Sequence, residues 1–185
     1  MTLTIRDTAI SGVQIVETDL VRDERGSFAR LFCFDELKSV VGDRQIVQIN
    51  RSQTSRVGAV RGMHYQRPPC AEMKLIRCLR GCVCDVVVDL RADSPTFLKW
   101  HAEELSAENM RMFVVPEGCA HGFQVLEPDS ELLYLHTSFY QPDFESGVKF
   151  DNPRLAISWP LPPCDLSLRD QKHALLSNDF EGIKL

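Results

Sequence analysis

The side chains best equipped for chemistry gather in one stretch, Arg61-Gly62-Met63-His64-Tyr65-Gln66-Arg67-Pro68-Pro69, and Lys74 follows at the head of the apolar run Leu75-Ile76. An imidazole trades protons near neutral pH, an ammonium is a compact positive charge, and a guanidinium engages an oxyanion through paired donors. Together they suit a site that moves protons and holds a small anionic ligand. A lone strand histidine is more often a satisfied core residue, and for His64 that reading stands beside the functional one. His121, Lys74, Arg61 and Tyr134 weigh toward a site, because inward-facing polar groups among strand residues need partners or a ligand. Farther on, Ser167-Leu168-Arg169-Asp170 has the S-x-x-D spacing of a helix cap. The cap is the simpler account of Asp170 and does not exclude a second role.

The elements that must position these residues are short strands. Gly12 to Glu17 alternates in polarity, Asp23 to Ser27 is a turn, and Phe28 to Phe32 follows as a second strand. Phe34 to Val41, stopped by Gly42, has the pattern of a short helix. In Gln45 to Ser52 a period of two separates Gln48, Asn50 and Ser52 from Val47 and Ile49. That polar row faces either solvent, the commoner case, or the lumen of a barrel that holds a ligand. Lys74 to Leu79 and Cys82 to Leu90 are β-rich runs joined at Arg80-Gly81 as in a hairpin. Thr96 to His101, Met112 to Val115, the run after Pro116-Glu117-Gly118 and Glu131 to His136 read as further strands, with Leu105 to Asn109 in a connection. Strands about every 10 residues with little helical periodicity predict an antiparallel sandwich or barrel. No repeat or linker interrupts the pattern before the proline-rich tail, so residues 1–185 are expected to form a single domain.

Composition narrows the function classes. At 185 residues, 44% hydrophobic and 25% charged, the chain can bury a real core and is neither disordered nor membrane-like. No apolar run approaches the roughly 18 residues of a spanning helix, and the first residues lack the basic-then-apolar pattern of a signal peptide. A net charge of -5 argues against nucleic acid as a partner. Seven cysteines at irregular spacing, two of them (Cys82 and Cys84) on one strand face, suit a reduced, cytoplasmic protein, and no pair of C-x-x-C knuckles offers a zinc site.

Five segments in register carry a resemblance. Arg61-Gly62-Met63-His64-Tyr65-Gln66, Lys74-Leu75, Asp85 to Arg91, Pro116-Glu117-Gly118-Cys119-Ala120-His121-Gly122-Phe123 and Leu166 to Asp170 resemble the dTDP-4-dehydrorhamnose 3,5-epimerase family, in order and spacing from about residue 12 to residue 172. The resemblance implies an all-β cupin jelly roll with a few short helices, the last near the C-terminus. It also implies a homodimer acting without metal or cofactor on a dTDP-linked 4-keto-6-deoxyhexose.

Epimerisation beside a ketone needs a base for the weakly acidic C–H, stabilisation of the enolate oxygen, and an acid on the opposite face. Neutral His64 is the natural base, and the resemblance makes Asp170 its partner and Tyr134 the opposing acid, with Lys74 supplying charge at the enolate oxygen. It further implies a phosphate role for Arg61, nucleotide contacts for Arg25 and Phe28 within the chain or across a dimer, and substrate contacts for Gln48, Asn50, His121, Tyr140 and Arg169.

A metal-binding cupin frame is only partly matched. Gly58, His64, Pro116, Gly118 and His121 fit, but Gln66 stands at the second ligand position, and Cys70 and Ala71 stand where a carboxylate belongs. Two histidines without a well-placed third ligand make a poor divalent-ion site. Arg30, Leu135 and Phe139 depart from the commoner family residues, which puts nucleobase and sugar specificity, and the choice of C3, C5 or both, in question.

Overall fold

A computed structural model describes residues 2–185. The strands run β1 (Leu3–Asp7), β2 (Gln14–Thr18), β3 (Leu20–Asp23) and β4 (Gly26–Ala29), then a single helical turn α1 (Lys38–Val41). After it come β5 (Gln48–Thr54), β6 (Val60–Gln66), β7 (Lys74–Arg80), β8 (Cys82–Asp89), β9 (Trp100–Ser106), β10 (Met112–Val115), β11 (Cys119–Val125), β12 (Ser130–His136) and β13 (Glu145–Gly147). A short helix α2 (Leu168–Gln171) lies near the C-terminus. Six strands form one antiparallel sheet in the order β1-β2-β10-β7-β12-β5, and five form the other in the order β13-β6-β11-β8-β9. This is the expected all-β jelly-roll sandwich.

Strand alternation sorts the side chains into layers. Ile15, Ile76, Cys78, Phe113 and Leu132 of the larger sheet meet Val83, Val87, Leu105 and Phe123 of the smaller one. Phe113 is fully buried there, which contributes about 1.5–3 kcal/mol. The opposite parity of the larger sheet, including Leu75, Met112 and Leu135, packs under Leu37, Val40 and Val41. The outer face of the smaller sheet, with Met63, Val86 and Val88, is covered by Leu155, Trp159 and Phe180 of the tail.

Several local expectations are corrected. β7 and β8 are not a paired hairpin: β7 pairs with β10 and β12, β8 with β9 and β11, and the turn at Gly81 carries the chain from one sheet to the other. Gly81 has φ +73, and a Cβ there would lie 2.5 Å from Ser130 Oγ, so the crossover needs glycine. Residues 96–99 form turns, and the strand expected there begins at Trp100 and runs through Leu105. Leu31 and Phe32 lie outside β4, and only the last turn of the expected Phe34–Val41 helix is α-helical.

Candidate active site

The sheets enclose a cavity of about 560 Å³. His64 enters it from β6, His121 from β11, Tyr134 and His136 from β12, and Lys74 from the start of β7. Asn50 and Ser52 of β5 also line it, beside Ile49 and Arg51 of the same strand, while Asn50 stays exposed, so the polar row is only partly turned to the lumen.

His64 and Arg61 are three residues apart, so a regular strand would send them to opposite faces. The pairing of β6 with β11 shifts register between His121 and Phe123, and Gly62 has φ +125 at that break. The irregularity brings both side chains to the cavity. A Cβ on Gly62 would stand 2.5 Å from Gly122 Cα, so close strand approach also demands glycine.

His64 Nε2 lies 2.7 Å from Asp170 Oδ1. Asp170 Oδ2 accepts the Gly62 N–H at 3.3 Å, and the Asp170 N–H donates to Ser167 Oγ at 3.0 Å. Ser167 therefore does cap α2, while the Asp170 carboxylate turns away from the cap to His64. Burial by itself would raise the Asp170 carboxyl; the His64 hydrogen bond and charge, with the Gly62 and Ser167 bonds, outweigh it and hold the carboxyl at about 2. With Nε2 committed to Asp170, Nδ1 is the nitrogen of His64 left without a protein partner among the described residues.

A second imidazole–carboxylate pair stands beside the first. His121, directly opposite His64 in the β6–β11 register, has Nε2 2.6 Å from Asp85 Oδ1. Asp85 is fully buried on β8, and burial raises its carboxyl despite the opposing pull of His121.

Across the cavity, the Tyr134 hydroxyl is 3.3 Å from Ser52 Oγ, and burial pushes its phenol above the usual range, so the proton stays on at neutral pH. Lys74 is buried, with Nζ 3.4 Å from the His64 carbonyl oxygen and 3.2 Å from Glu72 Oε1.

At the rim, Arg61 donates to the Gln53 carbonyl at 3.2 Å. Arg169 donates to Glu145 Oε1 at 2.8 Å, and the Tyr140 hydroxyl donates to Glu145 Oε2 at 2.7 Å. Gln48 does not line the cavity; its Oε1 accepts the Tyr140 backbone N–H and thereby fixes that residue. Arg25 and Phe28 are not brought to the cavity within this chain. They lie on the exposed β3–β4 hairpin beside a separate groove, where Arg25 pairs with Asp23 at 2.5 Å and Phe28 is 65% exposed.

The departures fall away from the cavity lining. Leu135 points into the layer beneath the larger sheet, Arg30 pairs with Glu36, and Phe139 is an exposed residue whose carbonyl accepts from Gln66. Gln66, at the second cupin ligand position, is consumed in bonds to the Cys70 and Phe139 carbonyls and the Gln141 N–H.

Among the described residues, His64, Asp170 and His173 come close enough to share an ion, but Arg169 Nη2 lies 3.2 Å from His64 Nε2 and its Nε 3.6 Å from Asp170 Oδ1. A guanidinium already occupies that approach, which does not suit a divalent cation.

Sequence reasoning missed Asp85, Glu72, His136 and Glu145 as site residues. For Asp85 a signal existed: a carboxylate inside Val83 to Val88 must find a partner when buried. For the others, the pairing of His136 with Glu72 spans 64 residues and that of Arg169 with Glu145 spans 24, and no spacing rule marks either.

A jelly roll whose lumen carries imidazole–carboxylate pairs, a phenol and a buried ammonium, with the cupin ligand frame broken at Gln66, defines a cupin-type acid–base enzyme. The dTDP-4-dehydrorhamnose 3,5-epimerase family model matches residues 7–178. The chain belongs to that family, and it is an epimerase. It is 42% identical over 164 residues to the dTDP-4-dehydrorhamnose 3,5-epimerase of Shigella flexneri, covering 88% of this chain and 90% of the relative. It is 37% identical over 174 residues to a dTDP-4-dehydrorhamnose 3-epimerase of Streptomyces niveus, covering 94% and 84%. Among solved structures, the Legionella pneumophila enzyme in complex with dTDP-4-keto-L-rhamnose superimposes with a TM-score of 0.91 at 37% identity, covering 99% of this chain and 98% of that one.

Proposed function

We propose that residues 1–185 act as one domain that epimerises a dTDP-linked 4-keto-6-deoxyhexose at C3 and C5, with His64 as base and Tyr134 as acid. The observation that carries the reading is the two-sided cavity: an imidazole backed by a carboxylate on the smaller sheet, and a protonated phenol on the larger one.

His64 takes the proton from the carbon beside the ketone, and Asp170, acidic enough to stay ionised, holds the ring and stabilises the imidazolium. The electrons of the broken C–H bond move onto the ketone oxygen, where Lys74 meets the developing charge and His121 stands close by. Tyr134 then donates its proton to the opposite face of the same carbon, the ketone re-forms, and the configuration is inverted. Solvent returns a proton to the phenolate and removes one from the imidazolium.

Arg61 and Arg169 are the cations for the diphosphate. Arg25 and Phe28, exposed and remote from their own cavity, fit a contact to the nucleotide of a second protomer, which makes the working form a homodimer. No helix is long and apolar enough to cross a membrane, and the seven cysteines are free, which supports a cytoplasmic setting.

The test is incubation with dTDP-4-keto-6-deoxyglucose in deuterated water followed by NMR. Deuterium at C3 and C5 is expected, and incorporation lost in His64→Ala with the fold retained. No incorporation by the wild type overturns the reading for this substrate. Label at one carbon only moves the chain to the single-carbon epimerases, a reading favoured by its likeness to the Streptomyces niveus 3-epimerase.

A further inference from the structure

Glu72 takes no part in the proton transfers above, yet its side chain lines the same cavity. Its carboxylate is divided between two partners: Oε1 lies 3.2 Å from Lys74 Nζ, and Oε2 lies 2.7 Å from His136 Nδ1. The Glu72 side chain is 8% exposed and that of His136 10%. Burial alone would raise the Glu72 carboxyl; the hydrogen bond from His136 and the charge of Lys74 outweigh it, so Glu72 is an anion at neutral pH.

His136 is itself held on two other sides. Its ring stacks on Tyr134 with centroids 6.0 Å apart at an interplanar angle of 19°, and its Nε2 lies 3.4 Å from Asn50 Nδ2. With Nδ1–H given to Glu72, Nε2 is the acceptor for the Asn50 amide.

A carboxylate offers about four acceptor positions, and the partners found here use two. An ion pair between Glu72 and Lys74 needs neither His136 nor a carboxylate facing a ligand cavity, and such buried pairs add little stability over apolar packing. An anion at this point disfavours a phosphate and favours a neutral hydroxyl, whose O–H donates to it. The opposite charge, that of Arg61 and Arg169, lies at the rim.

We propose that Glu72, positioned by His136, binds a ring hydroxyl of the sugar next to the ketone oxygen that Lys74 receives, and so fixes which end of the nucleotide sugar enters the lumen. This rests on the epimerase reading of the cavity. Glu72 is a binding residue that touches substrate, and His136 is a positioning residue that acts through it.

The test compares dTDP-glucose, which has the hydroxyls but no ketone, with dTDP by calorimetric titration. Glu72→Gln keeps the shape and removes the charge. It is expected to weaken dTDP-glucose about tenfold, the difference between a charged and a neutral hydrogen bond, while dTDP binds within about twofold of wild type. His136→Gln, with melting curves confirming both folds, is expected to weaken dTDP-glucose by a smaller factor and, in turnover, to raise KM more than it lowers kcat. Unchanged dTDP-glucose affinity in Glu72→Gln, or an equal loss for dTDP, overturns the assignment. If Glu72→Gln does not fold, the His136→Gln split between KM and kcat decides it. The titrations involve no turnover. Glu72-dependent binding without deuterium incorporation therefore overturns the epimerase reading and leaves the hydroxyl site standing, and incorporation without Glu72 dependence does the reverse.

Discussion

Replacing Asp170 by Asn removes one buried negative charge and almost no volume. The asparagine carbonyl can still accept the Gly62 N–H, and the Asp170 backbone bond to Ser167 survives, so α2 keeps its place. What is lost is the charge 2.7 Å from His64 Nε2 and, with the carbonyl kept on Gly62, the acceptor there, because the amide nitrogen now faces that ring nitrogen. A hydrogen bond to a charged group contributes about 1.5–3 kcal/mol, and the imidazolium exists only after proton abstraction, so the loss falls on the transition state. The expected result is a fall in kcat of about ten- to a hundredfold with KM little changed, read as the rate of deuterium incorporation under saturating substrate.

The same charge has a stability signature. Its carboxyl sits at about 2 in the fold against an ordinary value of 3.8, a difference equivalent to about 2 kcal/mol. Because the folded value is the lower one, that stability is present above pH 4 and is lost as pH falls through about 2. Asp170→Asn should therefore show a flatter decline in denaturant midpoint between pH 4 and pH 2 than wild type. A kcat within twofold of wild type, or an acid limb of unchanged slope, refutes the reasoning.

Three further outcomes follow from the same geometry. Tyr134→Phe removes the opposing acid but not the base, so NMR should find deuterium incorporated with retained configuration while epimer formation drops at least about a hundredfold; undiminished inversion removes Tyr134 as acid. Arg77, fully buried and donating to the Met110 and Leu31 carbonyls, anchors the segment before α1 to the larger sheet, so Arg77→Ala should cost about 2–4 kcal/mol of unfolding free energy in denaturant titration. Phe28→Ala alters a residue far from its own cavity, so a severalfold rise in KM with kcat preserved supports nucleotide contact across a dimer, and unchanged KM counts against it.

Much of the fold was legible because strand alternation is a local property. Glu131 to His136 reads as a strand on its pattern, and β12 spans Ser130–His136. The hairpin expected at Arg80-Gly81 was wrong for a non-local reason: a glycine turn fixes a change of direction but not the sheet that the next strand joins. Asp170 is divided between the two accounts. The cap spacing correctly marked the start of α2, yet the carboxylate's destination, 106 residues away at His64, left no periodic trace.

The sequence alone determined the residue types, the parity that puts Tyr134 and His136 on one face of β12 and Leu135 on the other, and the break in the metal-ligand frame at Gln66. Only the tertiary structure decided that Arg61 and His64 share a cavity, because that depends on a register shift against β11 which strand periodicity does not contain. It also decided that Glu72 divides its charge between Lys74 and His136, and that Arg25 and Phe28 stand outside their own lumen. The physical reason is the same in each case. Local pattern fixes which way a side chain points from its strand, while the partner it meets is fixed by how two sheets pack and where a register slips.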